Sequence, residues 1–112
     1  MAKFFSFASR EVKVCFFDGK DAVTVKLVIS DETDQRFAKG AELLERGTKA
    51  DSVAERKTLW IEAVDALIGA EQRQAILDKA PVQDCFAVAE IYRYLVDAYG
   101  GAKVKNLSAS VR

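Results

Sequence analysis

The sequence predicts an α+β fold, mostly helical, in which an N-terminal antiparallel β-hairpin or small sheet is followed by about four helices. Three observations predict it. Val23, Val25, Leu27 and Ile29 alternate with Thr24, Lys26 and Val28, the period of a strand with one buried face. From Phe37 to Tyr99 apolar residues recur instead at spacings of three and four, the period of helices with a buried stripe. Punctuation divides that long stretch: Ser52-Val53-Ala54-Glu55 reads as a capping box, Gly69 as a left-handed stop, Pro81 as a helix start and Gly100-Gly101 as a helix end.

In chain order, Phe4, Phe5 and Phe7 open an apolar strand, and Glu11 to Phe17 supplies Val12, Val14 and Phe16 as the face that matches Val23 to Ile29. Asp18-Gly19 marks the turn between them. A two-residue type I′ turn there sets Glu11 across from Lys26, whereas a four-residue Asp18-to-Asp21 loop pairs Phe16 with Val23 and sets Lys13 against Lys26. Charge favours the first register, and both keep the same faces together. An isolated hairpin is marginal in water, so the strands must lie on helices or on a further sheet.

Asp31 is placed to cap a first helix running to about Arg46, with Glu32 and Asp34 near its positive end and Phe37, Ala41 and Leu44 on one face. Gly40 weakens that helix by about 1 kcal/mol relative to Ala, so packing must carry it. Gly47 to Asp51 reads as a connection. The second helix starts at the capping box and turns Trp60, Val64, Leu67 and Ile68 to one side, with Val53 and Ile61 at its margins. Glu71 to Lys79 makes a short third helix carrying Ile76 and Leu77.

The fourth helix, opened by Pro81 and closed by Gly100-Gly101, carries more apolar surface than one contact needs. Cys85, Val88, Tyr92, Leu95 and Tyr99 form one complete face, flanked by Ala89 and Val96. Ala87, Ile91, Tyr94 and Ala98 form a second line beside it, so the apolar arc covers roughly 220°, against the stripe of about 100° on an ordinary surface helix. Such a helix is either central to its own domain or shared with another chain.

With 112 residues, half of them hydrophobic and 30% charged, the chain is sized and composed for one globular domain, residues 1–101, followed by a polar tail, 102–112, expected to be flexible. Lys plus Arg equals Asp plus Glu at 17 each, so no net positive field draws the chain onto nucleic acid or anionic lipid. No run approaches the ~20 apolar residues that span a bilayer, and Lys3 to Phe7 is no signal peptide, so a soluble cytoplasmic protein is expected. Cys15 and Cys85 then read as reduced thiols.

Histidine is absent, which removes the commonest general base and metal ligand. Phosphate-binding glycine patterns, Cys-x-x-Cys pairs and activated nucleophiles are missing too. Asp18-Gly19-Lys20-Asp21 resembles the start of a calcium loop but lacks the later bidentate Glu and reads as a turn. Glu62 and Asp65 read as solvated surface acids, and Lys103 and Lys105 as solubilising charges. The expectation is a protein that is not an enzyme and uses no metal, cofactor or small-molecule substrate.

Read as a unit, Trp60-Ile61-Glu62-Ala63-Val64-Asp65-Ala66-Leu67-Ile68-Gly69, then Gln74-Ala75-Ile76-Leu77, then Asp84-Cys85-Phe86 and Ile91-Tyr92-Tyr94-Leu95, resembles the tail assembly chaperones of long-tailed bacteriophages, including those carried by prophages. Those proteins show an apolar helix ending in Asp-x-x-Leu-Gly, a short helix with a hydrophobic pair and a last aromatic helix, after an N-terminal strand pair. The likeness spans about Glu11 to Tyr99. This chain departs from the pattern in having Ala70 where many relatives have a second glycine, and aliphatic Ile76-Leu77 where they have an aromatic residue.

The resemblance implies a non-catalytic chaperone of tail morphogenesis that self-associates, coats the tape measure protein, helps recruit tail tube protein and is absent from the mature virion. The surfaces expected to meet a partner or a second copy are Phe5 and Phe7 in the first strand and Ile91, Tyr94 and Ala98 on the fourth helix. Trp60, Val64, Tyr92 and Leu95 are assigned to the core. The alternative is a small dimeric adaptor or regulatory module that uses the same surfaces for another protein.

Overall fold

The computed structural model describes residues 10–111, with side chains described through Lys105. An antiparallel hairpin, β1 (Glu11–Phe16) and β2 (Val23–Val28), precedes four helices: α1 (Asp31–Thr48), α2 (Val53–Ile68), α3 (Ala70–Leu77) and α4 (Cys85–Val111). The expected α+β, mostly helical architecture is the one observed. Phe4, Phe5 and Phe7 lie outside the described residues.

The hairpin takes the register that charge disfavours. Phe16 pairs with Val23 and Lys13 faces Lys26, across a loop holding a 3₁₀ turn at Gly19–Asp21. Both lysines stand on the solvent face, where such a pair costs only a few tenths of a kcal/mol. The opposite face buries Val14, Phe16, Val25 and Leu27 against the helices. Burial decides the faces, and the loop decides the register.

Helix α1 starts one residue earlier than its acidic run suggests, because Ser30 is the cap: its Oγ accepts from the Thr33 N–H at 3.1 Å. The helix also runs two residues beyond Arg46, through Gly47 to Thr48. Its buried line is Thr33, Gly40, Leu43 and Gly47, with Phe37 and Leu44 half-buried, while Ala41 faces solvent. The small residues on that line mark where neighbouring aromatics press in. A Cβ at Gly40 would lie 2.6 Å from Tyr92 Cε2, and one at Gly47 would strike the Trp60 indole. Contact at that range joins hydrogen bonds to packing. Trp60 Nε1 donates to the Leu44 carbonyl at 2.9 Å, Arg56 Nε donates to the Gly47 carbonyl at 3.1 Å, and Tyr92 Oη donates to the Phe37 carbonyl at 2.6 Å. Carbonyls in the last turns of α1 thereby take side-chain donors from α2.

The Ser52 cap of α2 accepts from the Glu55 N–H at 3.1 Å, and Gly69, at φ 86°, breaks the chain into α3. Asp65 is not a free surface acid. It takes a bidentate pair from Arg73 at 2.9 and 3.2 Å, which fixes α3 at an angle to α2 and raises the Arg73 pKa. Pro81 does not open α4. The helix begins four residues later, where Asp84 Oδ1 accepts from the Ala87 N–H at 2.9 Å, because a side-chain cap satisfies a free donor that proline merely lacks.

Gly100-Gly101 does not end α4 either; the helix runs through both to Val111. Just before and after the glycines it is tied to α1. Tyr99 stacks on Phe37 with ring centroids 4.6 Å apart, its hydroxyl donates to Asp34 Oδ1 at 2.6 Å, and Lys103 Nζ reaches both Asp34 oxygens at 3.0 and 3.1 Å. These bonds hold the Asp34 carboxyl below its ordinary pKa, the Tyr99 bond first and Lys103 second. Burial, then the Asp34 bond, pushes the Tyr99 hydroxyl up to about 12.

Two outcomes test this packing. Replacing Gly40 or Gly47 by Ala adds helix propensity of about 1 kcal/mol but overpacks the contact by about 1–3 kcal/mol, so each variant should unfold at lower urea, followed by Trp60 fluorescence. A stabilised Gly47→Ala variant would mean that the indole has room to move. Stability contributed by Tyr99 is fully present below pH 10 and is lost as pH rises through about 12, since the folded state holds that proton more tightly. Stability contributed by Asp34 is present above its unfolded value, near 3.8, and lost as pH falls below it. A Tyr99→Phe variant should therefore lose less stability than wild type between pH 10 and 12. Equal alkaline slopes for the two proteins would remove Tyr99 from this account.

Candidate interaction surface

Helix α4 uses its first apolar line as expected: Cys85, Val88, Tyr92, Leu95 and Tyr99 are all buried, and α4 packs on α2 and β1. The second line divides. Ile91 is buried at 6%, so it belongs to the interior of this chain and forms a floor, not a protruding contact. Ala98 is half-buried against the core. Tyr94 stands up from the helix at 48% exposure.

What holds Tyr94 is the edge of the sheet. Ile29 N–H donates to the Arg10 carbonyl at 2.8 Å, so the pairs 10/29, 12/27, 14/25 and 16/23 are the hydrogen-bonded ones. The backbone groups of Cys15 therefore point away from β2. Tyr94 Oη donates to the Cys15 carbonyl at 3.0 Å, and its ring meets Phe16 edge-on at 4.9 Å. One tyrosine both satisfies an unpaired edge carbonyl and forms a wall.

Beside that wall lies a groove of about 390 Å³ between the end of β1, the end of α3 and α4. Phe16, Phe17, Pro81, Ala87, Ile91 and Tyr94 give it an apolar lining, and Glu90 places one acid in it. Phe17 carries the feature least expected from sequence. It is 39% exposed and sits at φ 64°, the one described non-glycine residue with positive φ. Holding an aromatic residue in that region costs about 1–2 kcal/mol. In the first turn of α4, apart from this groove, Phe86 is 60% exposed and meets Trp60 edge-on at 6.0 Å.

A second, shallower groove of about 670 Å³ runs between α1 and α4, lined by Phe37, Tyr92, Val96 and Tyr99, with Asp34 and Lys103 at one end. Of the five residues expected to make partner contacts, the structure brings Ile91 and Tyr94 together at the first groove and sets Ala98 apart from it; Phe5 and Phe7 lie outside the described residues. Phe17 and Phe86 were not among the five. On a helical wheel Phe86 falls outside the apolar arc, on the side of α4 that carries Glu90, Arg93 and Asp97, and the positive φ of Phe17 has no signal in the sequence.

Among the described residues no group of three or more His, Cys, Asp or Glu side chains is placed to hold a metal ion, and no helix is long and apolar enough to cross a membrane. What the surface offers is aromatic, grooved and nearly uncharged, the chemistry of contact with another apolar surface. No protein-family model, curated protein or solved structure matches this chain.

Proposed function

We propose that this protein is a non-catalytic assembly chaperone of phage tail morphogenesis, working in the bacterial cytoplasm and absent from the mature virion. It self-associates and binds the tape measure protein, with tail tube protein as a further partner. The observation that supports this reading is the Phe17–Tyr94 groove. Phe17 stays in a left-handed conformation that glycine or asparagine would adopt at lower cost, and the result is a half-exposed ring beside an apolar trough. Strain spent on exposing an aromatic ring is hard to reconcile with a purely structural role and suits a surface that receives another chain. The phage assignment rests on the resemblance of the stretch from Trp60 to Leu95.

A helical client fits the groove's chemistry. An amphipathic helix presents apolar residues at spacings of three and four, and an open apolar trough flanked by aromatic walls accepts such a row without demanding particular hydrogen bonds. Tyr94 and Phe17 are the residues assigned to that contact, with Ile91 as its floor.

Phe17→Gly separates contact from fold. Relief of the backbone strain and loss of part of a buried ring offset each other, so unfolding should stay within about 1 kcal/mol of wild type. Co-purification with a co-expressed tape measure fragment should fall at least tenfold. Tyr94→Lys should act the same way while unfolding remains cooperative. Light scattering over a concentration series that finds a strict monomer, together with no retention of the fragment by wild type, sinks the proposal.

A further inference from the structure

The six glycines of this chain fall into classes. Gly40 and Gly47 are required by close packing, and Gly19 and Gly69 by positive φ. Gly100 and Gly101 meet neither demand. Among the described residues nothing lies within 4 Å of a Cβ built at either, and neither has a positive φ. Alanine would fit both places and strengthen the helix, yet the chain places its two most helix-weakening residues side by side within α4.

Their position gives them meaning. Tyr99, the residue before the pair, is the last buried residue of α4 among those whose side chains are described. Lys103, two residues after it, carries a cross-element bond back to the domain: both Asp34 oxygens at 3.0 and 3.1 Å, with its ammonium 5.5 Å from the Tyr99 ring centroid. The backbone of residues 102–111 thus continues α4 beyond Tyr99, with a weak joint at its root and a clasp just beyond the joint. An isolated helix shorter than about 12–15 residues is marginal in water, so continuity through the joint and the clasp both help to hold this segment helical.

We propose that Gly100-Gly101 is a hinge and Lys103–Asp34 its latch, so that residues 102–111 form an arm that melts and re-forms as one unit while the rest of α4 stays packed. Release of the latch also opens the end of the α1–α4 groove, which Gly100, Asp34 and Lys103 line together with Tyr99 and Val96. The device lies in residues that the proposed client groove does not use, and it stands whether or not the phage reading holds.

Amide hydrogen exchange on the full chain tests it residue by residue. In wild type, the amides of residues 104–111 should share one protection factor, at least tenfold below that of residues 90–98, with a step at the glycine pair. Gly100→Ala/Gly101→Ala should slow exchange in the arm about 30-fold, and each single change about fivefold, with residues 90–98 unaltered. Lys103→Met should speed it roughly two- to fivefold in wild type, again leaving residues 90–98 unaltered. Protection that declines smoothly toward the C-terminus without a step is ordinary end fraying and overturns the hinge. Arm exchange indifferent to both alanine changes does the same, and indifference to Lys103→Met overturns the latch.

Discussion

Close approach of α1 to the aromatic residues of its neighbours is the constraint on which the rest of the packing depends. At Gly47 the Trp60 indole lies where a side chain would be, and at Gly40 the Tyr92 ring does. Only because those two positions lack a Cβ can Trp60 reach the Leu44 carbonyl and Tyr92 the Phe37 carbonyl. Each ring thus buries apolar area and pairs a polar atom at once, which is how aromatic residues with a polar tip are best used in an interior. Gly40 and Gly47 lower the intrinsic stability of α1, and the contacts they permit more than offset that loss.

With α1 seated in this way, α4 is left with two kinds of surface. Its first line is enclosed by α1, α2 and the sheet, and Val88 and Leu95 there are fully buried. Its second line has the sheet edge for a neighbour, and among the described residues the sheet has two strands, too narrow to cover it. Tyr94 bridges part of the gap by donating to the Cys15 carbonyl, and the remainder is the apolar groove. Among the described residues, the surface proposed for partner contact therefore arises where α4 outreaches the sheet, not from a separate element. The strained backbone of Phe17 sets a ring at the mouth of that groove.

Much of this was legible in sequence, and the misses share a cause. Period and capping chemistry act over a few residues, so the strand faces, the Ser52 cap, the Gly69 break and the inward line of α4 could be read directly. The first helix was harder. Its buried line runs through two glycines and a threonine, which no hydrophobic pattern marks, so Phe37, Ala41 and Leu44 looked like its face although Ala41 is exposed. Glycine in particular is ambiguous: Gly40 and Gly47 reflect close packing, Gly69 reflects backbone angle, and Gly100-Gly101, which resembles a helix end, lies within a helix.

Local chemistry by itself determined the α+β class, the order of the elements and the inward faces of the hairpin, of α2 and of the first line of α4, because burial of an apolar stripe needs only a period. Tertiary structure alone decided the hairpin register, the pairing of Asp65 with Arg73 and of Asp34 with Tyr99 and Lys103, and the division of Ile91, Tyr94 and Ala98 among floor, wall and core. Those outcomes depend on which atoms meet across dozens of residues of intervening chain. No window of sequence contains that information, since it resides in the packing angles of helices whose small residues let them come close.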